Sequence, residues 1–171
     1  MTDALAAARP DPALAEKLKL YGRFVGSWSL DIAYHAPDGR TVNAPGEWRF
    51  AWVLQGRAVQ DVWIFPAMRV RDKPTDPFYF YGSTFRWYDP SIDAWRITWF
   101  DPTRPFELRQ IGRASGADIV QMGEEVAGVT RRWSFVEITE GSFRWRGEAS
   151  RDRGADWFLE MEMRARKVLT S

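Results

Sequence analysis

The chain has 171 residues and a formal net charge of +1, with 45% hydrophobic and 15% aromatic residues, ten tryptophans, one histidine and no cysteine. That length supports one domain with a sizeable core and leaves little for a second. Without cysteine there are no disulfides, thiol nucleophiles or thiolate metal sites, and the near-neutral charge offers no long-range field to nucleic acid or an anionic membrane.

The opening MTDALAAARPD has no basic start followed by an apolar core, so it does not read as a secretion signal. No apolar run approaches the roughly twenty residues that span a bilayer. The expectation is a cytoplasmic protein, with residues 1–10 as a flexible leader and 11–171 as a single domain. Asp11-Pro12 predicts a helix start, with Asp as N-cap and Pro at the first helical position. Leu14, Leu18 and Tyr21 recur at helical spacing, and Gly22 is placed to stop the helix. So short a helix is not stable alone and must lie on something.

After it the chain reads as strand and turn. Phe24 to His35 alternates, with Trp28, Leu30, Ile32 and Tyr34 on one face, and ends at Pro37-Asp38-Gly39. Gly46 to Phe65 reads as one long hairpin joined at a two-residue Gln55-Gly56 turn. The register then sets Trp52 opposite Val59, Phe50 opposite Asp61 and Trp48 opposite Trp63, a wall of aromatics holding one carboxylate. Pro66 to Pro77 is the longest irregular stretch, of the kind that often forms a functional mouth.

Phe78 to Tyr88 is a strand with Gly82 expected to mark a bulge or bend, and Trp95 to Phe100, Glu107 to Arg113 and Asp118 to Met122 follow. Arg131 to Thr139 pairs with Ser142 to Ser150 around Glu140-Gly141, predicting Glu137 opposite Arg144, Val136 opposite Trp145 and Ile138 opposite Phe143. Arg132 then shares the face of Trp145, and Trp133 lies on the other. The last strand runs from Trp157 to about Arg166. About ten antiparallel strands with no helices to cover them predict an all-β fold, an up-and-down barrel closed on itself with the short helix near one end.

Gly26-Ser27-Trp28, opening the first strand after a short helix, resembles the G-x-W signature of the lipocalin and calycin superfamily. The layout from Leu14 onward is similar to lipocalin-like bacterial domains of unknown function. The resemblance implies that Trp28 packs at the closed end of the barrel beneath a basic residue of the last strand, Arg164 or Arg166. Nitrobindins share the barrel and the Trp but ligate haem through a His late in the chain. This sequence has none there, and its lone His35 reads as a surface residue. No cofactor and no metal are expected.

Asp61 is the sharpest chemical signal, since an ionised carboxylate among aromatics needs a partner, for which Arg86 and Arg132 are the candidates. Trp48, Phe50, Trp52, Asp61, Trp63, Arg86, Tyr88, Arg132 and Trp145 are the expected ligand-binding residues. The composition suits a small apolar or aromatic ligand held inside the barrel. The alternative is a cofactor-free isomerase, cyclase or hydrolase with Asp61 as general base and Arg86, Tyr88 or Arg132 holding an enolate or carboxylate. A third reading is a dimer whose aromatics merely fill the barrel. The Arg-Trp alternation at 131–133 and 143–146 offers stacking and cations to single-stranded nucleic acid, but its acidic neighbours Glu137 and Glu148 favour an ordinary outer face.

Overall fold

The computed structural model describes residues 5–70 and 79–169. Ten antiparallel strands follow one another around a closed barrel. They are β1 (Gly26–His35), β2 (Thr41–Val53), β3 (Ala58–Phe65), β4 (Phe80–Asp89), β5 (Ala94–Asp101), β6 (Phe106–Ser115), β7 (Asp118–Gly123), β8 (Thr130–Val136), β9 (Ser142–Ser150) and β10 (Phe158–Lys167). β10 returns to pair with β1, from Trp28↔Lys167 to Tyr34↔Met161, so no edge is left unpaired. This is the predicted all-β barrel with one N-terminal helix.

Asp11 caps the helical segment, its carboxylate accepting from the Ala13 N–H at 2.9 Å. A 3₁₀ turn over Pro12–Leu14 leads into α1 (Ala15–Gly22). Leu18 and Tyr21 are fully buried and close one end of the barrel, the Tyr21 ring meeting Trp95 edge-on at 4.8 Å. The segment ahead of the helix is bonded to the barrel at two points. Ala7 N–H donates to the Trp52 carbonyl at 2.9 Å and Asp11 N–H to that of Gly56 at 3.1 Å, tying this segment to the β2–β3 connection.

The β2–β3 register is the predicted one, with Trp52↔Val59, Phe50↔Asp61 and Trp48↔Trp63. The connection is wider than two residues: pairing stops at Val53↔Ala58, and Leu54, Gln55 and Gly56 all take positive φ. A symmetric widening leaves the parity of both strands unchanged, which is why the aromatics still face inward.

Two expectations fail. β3 and β4 pair without a break through Trp63↔Gly82, so Gly82 marks no bulge. In β8–β9 the tip is as predicted, with Thr139 N–H bonding the Ser142 carbonyl at 2.8 Å, but Glu137 adopts φ 53° and adds one unpaired residue. Such a bulge shifts the ladder by one. Val136 therefore lies opposite Arg144, and Phe135, not Val136, opposite Trp145. Every side chain of β8 changes face relative to the prediction, and Trp133 and Phe135 turn inward. Glu137 and Arg144 still form their outward ion pair at 3.0 Å.

Candidate functional site

At the end opposite α1 the barrel opens into a cavity of about 280 Å³. Tyr34, Phe80, Asp101, Arg104, Phe106, Arg131 and Glu160, at or just beyond the ends of their strands, form its rim. Deeper, Trp63, Trp99, Trp133 and Trp145 line it with Met161. These four indoles make a closed ring: neighbouring centroids lie 5.3 Å apart for Trp63–Trp99, 6.1 Å for Trp99–Trp133, 5.3 Å for Trp133–Trp145 and 6.5 Å for Trp145–Trp63. Glycines make room for two of them. A Cβ on Gly82 would fall 2.4 Å from Trp99, and one on Gly147 2.5 Å from Trp145.

The rim is charged and held in place. A bulge between Leu159 and Met161 brings Glu160 to the mouth, where Arg131 grips it through Nε at 3.0 Å and Nη2 at 3.2 Å. The same guanidinium lies 5.4 Å from the Phe106 ring, and that of Arg104 sits 4.2 Å from Phe80. Asp101 accepts from Thr103 N–H at 2.9 Å, its hydroxyl at 2.6 Å and Tyr81 N–H at 3.3 Å. Desolvation raises the pKa of the half-buried Tyr34 phenol, so it stays a neutral hydroxyl at neutral pH. The mouth is thus an apolar aromatic bowl with a balanced polar rim.

Of the expected ligand-binding residues, the structure brings Trp63 and Trp145 to this cavity. Trp48 and Phe50 pack below the ring, Trp48 stacking on Phe135 at 5.6 Å. Trp52 belongs to the closed end, where its indole occupies the space in front of Gly22. Tyr88 is also at that end, its hydroxyl bonded to Asp93, which Lys17 meets at 2.6 Å. Arg132 is placed by the β8 shift on the outer wall, bonded to Glu148 at 3.0 Å and stacked on Trp157 at 4.2 Å. It is therefore not a partner for Asp61.

That partner is Arg86, the other candidate. Asp61 is 1% exposed and Arg86 0%, and the guanidinium bonds the carboxylate in the middle of the barrel. The Tyr21 and Phe50 rings flank the Arg86 guanidinium at 5.2 and 5.6 Å. Neither residue of the pair lines the mouth cavity, so the proposed general base sits behind the tryptophan ring. Burial also raises the pKa of the Tyr21 phenol.

At the closed end Trp28 donates its indole N–H to the Phe24 carbonyl at 2.7 Å. The basic residue beside it is Lys167, whose Nζ lies 5.6 Å from the ring. Arg164 and Arg166 were the expected residues, but alternation points them outward, and Arg166 pairs with Asp31 at 2.7 Å. His35 bonds the Thr41 hydroxyl at 3.1 Å. Of the arginines interleaved with Trp133 and Trp145, Arg131 is at the mouth, while Arg132, Arg144 and Arg146 stand on the outer wall against acids, Arg132 and Arg146 on Glu148 and Arg144 on Glu137. The described residues contain no cluster of three or more His, Asp or Glu that could hold a metal, and no helix among them is long and apolar enough to cross a membrane. The expected mouth loop at 66–77 falls largely on residues 71–78, outside the described part.

Sequence reasoning missed Trp99, Trp133, Phe80, Phe106, Arg131 and Glu160. Trp99 was legible, since it shares the parity of Trp95 and Ile97 on a clean alternating strand. Trp133 and Arg131 were hidden by the bulge at Glu137, and Glu160 by the one before Met161.

No protein-family model matches this chain, and no curated protein matches it in sequence. Several solved structures share its shape, among them the two that follow. The S-type phycobiliprotein lyase CPES from Guillardia theta superposes with a TM-score of 0.59 at 9% identity, over 90% of this chain and 93% of that one. Rv2717c from M. tuberculosis gives a TM-score of 0.59 at 11% identity, over 94% and 99%. At these identities the likeness is one of fold.

Proposed function

We propose that the protein binds a small aromatic ligand in the mouth cavity, seated on the tryptophan ring. One observation carries the reading: an open cavity of about 280 Å³ whose depth is walled by four indoles. Indole faces favour flat rings by offset stacking and edge contacts, worth ~0.5–1.5 kcal/mol per pair beyond area burial. The polar rim keeps the mouth wet and orients what enters. A lipocalin-like relationship accords with this reading, supported by Gly26-Ser27-Trp28 at the head of β1 and by Lys167 beside Trp28.

Catalysis with Asp61 as base is the weaker reading. The carboxylate is committed to Arg86, and the cavity's own acids, Asp101 and Glu160, are committed to the Thr103 turn and to Arg131. The test is calorimetric titration with naphthalene. Trp63→Ala and Trp133→Ala should each weaken binding about tenfold, equal to ~1.4 kcal/mol, whereas Trp52→Ala at the closed end should leave it unchanged. Equal losses at all three positions would refute the assignment.

A further inference from the structure

Beneath the tryptophan ring lies a group of polar side chains that the mouth cavity does not use. Gln110 on β6 is 2% exposed and Gln121 on β7 0%, and neither amide has a hydrogen-bond partner among the described residues. The ladder sets Gln110 opposite Gly123 and Gln121 opposite Gly112, making the two amides diagonal neighbours on the inner wall. Diagonal pairs are within reach of long side chains. Across β5, Arg86 faces Ile97 and Ile97 faces Gln110. The Tyr21 hydroxyl presses on the backbone beside the amides, 2.4 Å from where a Cβ on Gly112 would lie. The Tyr21 hydroxyl, Asp61 Oδ1, Arg86 Nε and both polar atoms of each glutamine are buried and have no hydrogen-bond partner among the described residues.

Native interiors rarely leave so many groups unpaired in one place, because each has lost its water. Their chemistry describes a complement. The hydroxyl, the guanidine N–H and the two amide NH₂ groups donate, while Asp61 Oδ1 and the two amide oxygens accept. The only formal charges, Asp61 and Arg86, cancel each other. An anion or a cation would therefore be buried without a counter-charge, whereas a neutral head with donor and acceptor side by side would be met on both counts.

We infer that this cluster is an inner subsite for the neutral amide- or lactam-like head of an aromatic ligand, reached from the mouth through the tryptophan ring. The inference rests on the mouth cavity being a binding site. Trp133 is the passage, since it stands directly opposite Gln121 and, at 9%, is the most exposed indole of the ring. Turning it aside joins the cavity to the amides.

Three probes of one shape test the subsite by calorimetry: naphthalene, 2-naphthamide and 2-naphthoate. 2-Naphthamide should bind at least tenfold tighter than naphthalene, and 2-naphthoate no tighter than naphthalene. Polar sites discriminate strongly between partners that do and do not complete them. Gln110→Met and Gln121→Met should each erase most of the amide preference while keeping wild-type affinity for naphthalene, which also reports that the variant is folded. Equal binding of naphthalene and 2-naphthamide overturns the inner subsite and leaves the mouth reading standing, as does an amide preference that survives both substitutions. Binding of none of the three removes both.

Discussion

Replacing Arg86 with Met would leave the Asp61 carboxylate buried without its cation. Both residues are at or below 1% exposure, so solvent cannot screen or replace the lost contact. Breaking a buried pair from one side costs about 3–5 kcal/mol, because an uncompensated charge remains. At ~2.1 cal/mol/K of unfolding entropy per residue, a chain of 171 residues loses roughly 8–14 °C of melting temperature for that cost. Arg86 also lies over the Tyr21 and Phe50 rings, and those contacts go with it. A double-mutant cycle separates the two effects. Asp61→Leu and Arg86→Met together remove both charges, and the pair should then cost far less than the sum of the singles. Urea denaturation at constant m-value measures each corner of the cycle. Single variants costing under about 1 kcal/mol, or a double variant that is merely additive, would refute the view that this pair is desolvated and interdependent.

Removal of residues 1–21 takes away the fully buried Leu18 and Tyr21. At ~1.5–3 kcal/mol for each large side chain, stability should fall by about 3–6 kcal/mol with a gain in apolar-dye binding, and an unchanged melting curve would show that the helix does not cap the barrel. Gly147→Ala drives a methyl into Trp145 and should cost about 1–3 kcal/mol with a changed near-ultraviolet dichroism, while Gly141→Ala, with nothing within 4 Å, serves as the neutral control. Tyr21 is buried in its neutral form, and its folded pKa is raised by desolvation. Its contribution is therefore complete below the unfolded value of about 10 and is lost as pH climbs from there toward the folded value. Alkaline unfolding should begin in that window and flatten in Tyr21→Phe; identical pH profiles for the two proteins would contradict the burial.

The barrel was legible because its strands are patterned and its turns are short. In β2 and β3 the aromatics alternate without interruption, so one slipped residue would have put Trp48, Phe50 and Trp52 into water. The candidate site was legible only in part. Trp63 and Trp145 were found from parity, but Trp133 was assigned to the wrong face. A single left-handed residue, Glu137, inverts a whole strand without disturbing the turn beyond it, and nothing in its composition announces the bulge. Glycine before Trp145 and Trp99 posed the same difficulty in reverse. Gly82 reads as a backbone irregularity, yet its work is to leave space for an indole from the neighbouring strand.

The closure of β10 on β1 also settles how the barrel responds to force. Trp28↔Lys167 is the outermost pair of that seam, and Val168 N–H bonds the Ser27 carbonyl at 2.8 Å just beyond it. The start of β1 and the end of β10 thus lie at the same corner. Tension applied at that corner, once α1 with its buried Leu18 and Tyr21 has been drawn from the barrel end, falls on one rung at a time, peeling the seam like a zip instead of loading all its hydrogen bonds together in shear. A barrel with no free edge at rest is therefore mechanically soft along one line, and that line runs between the first strand and the last.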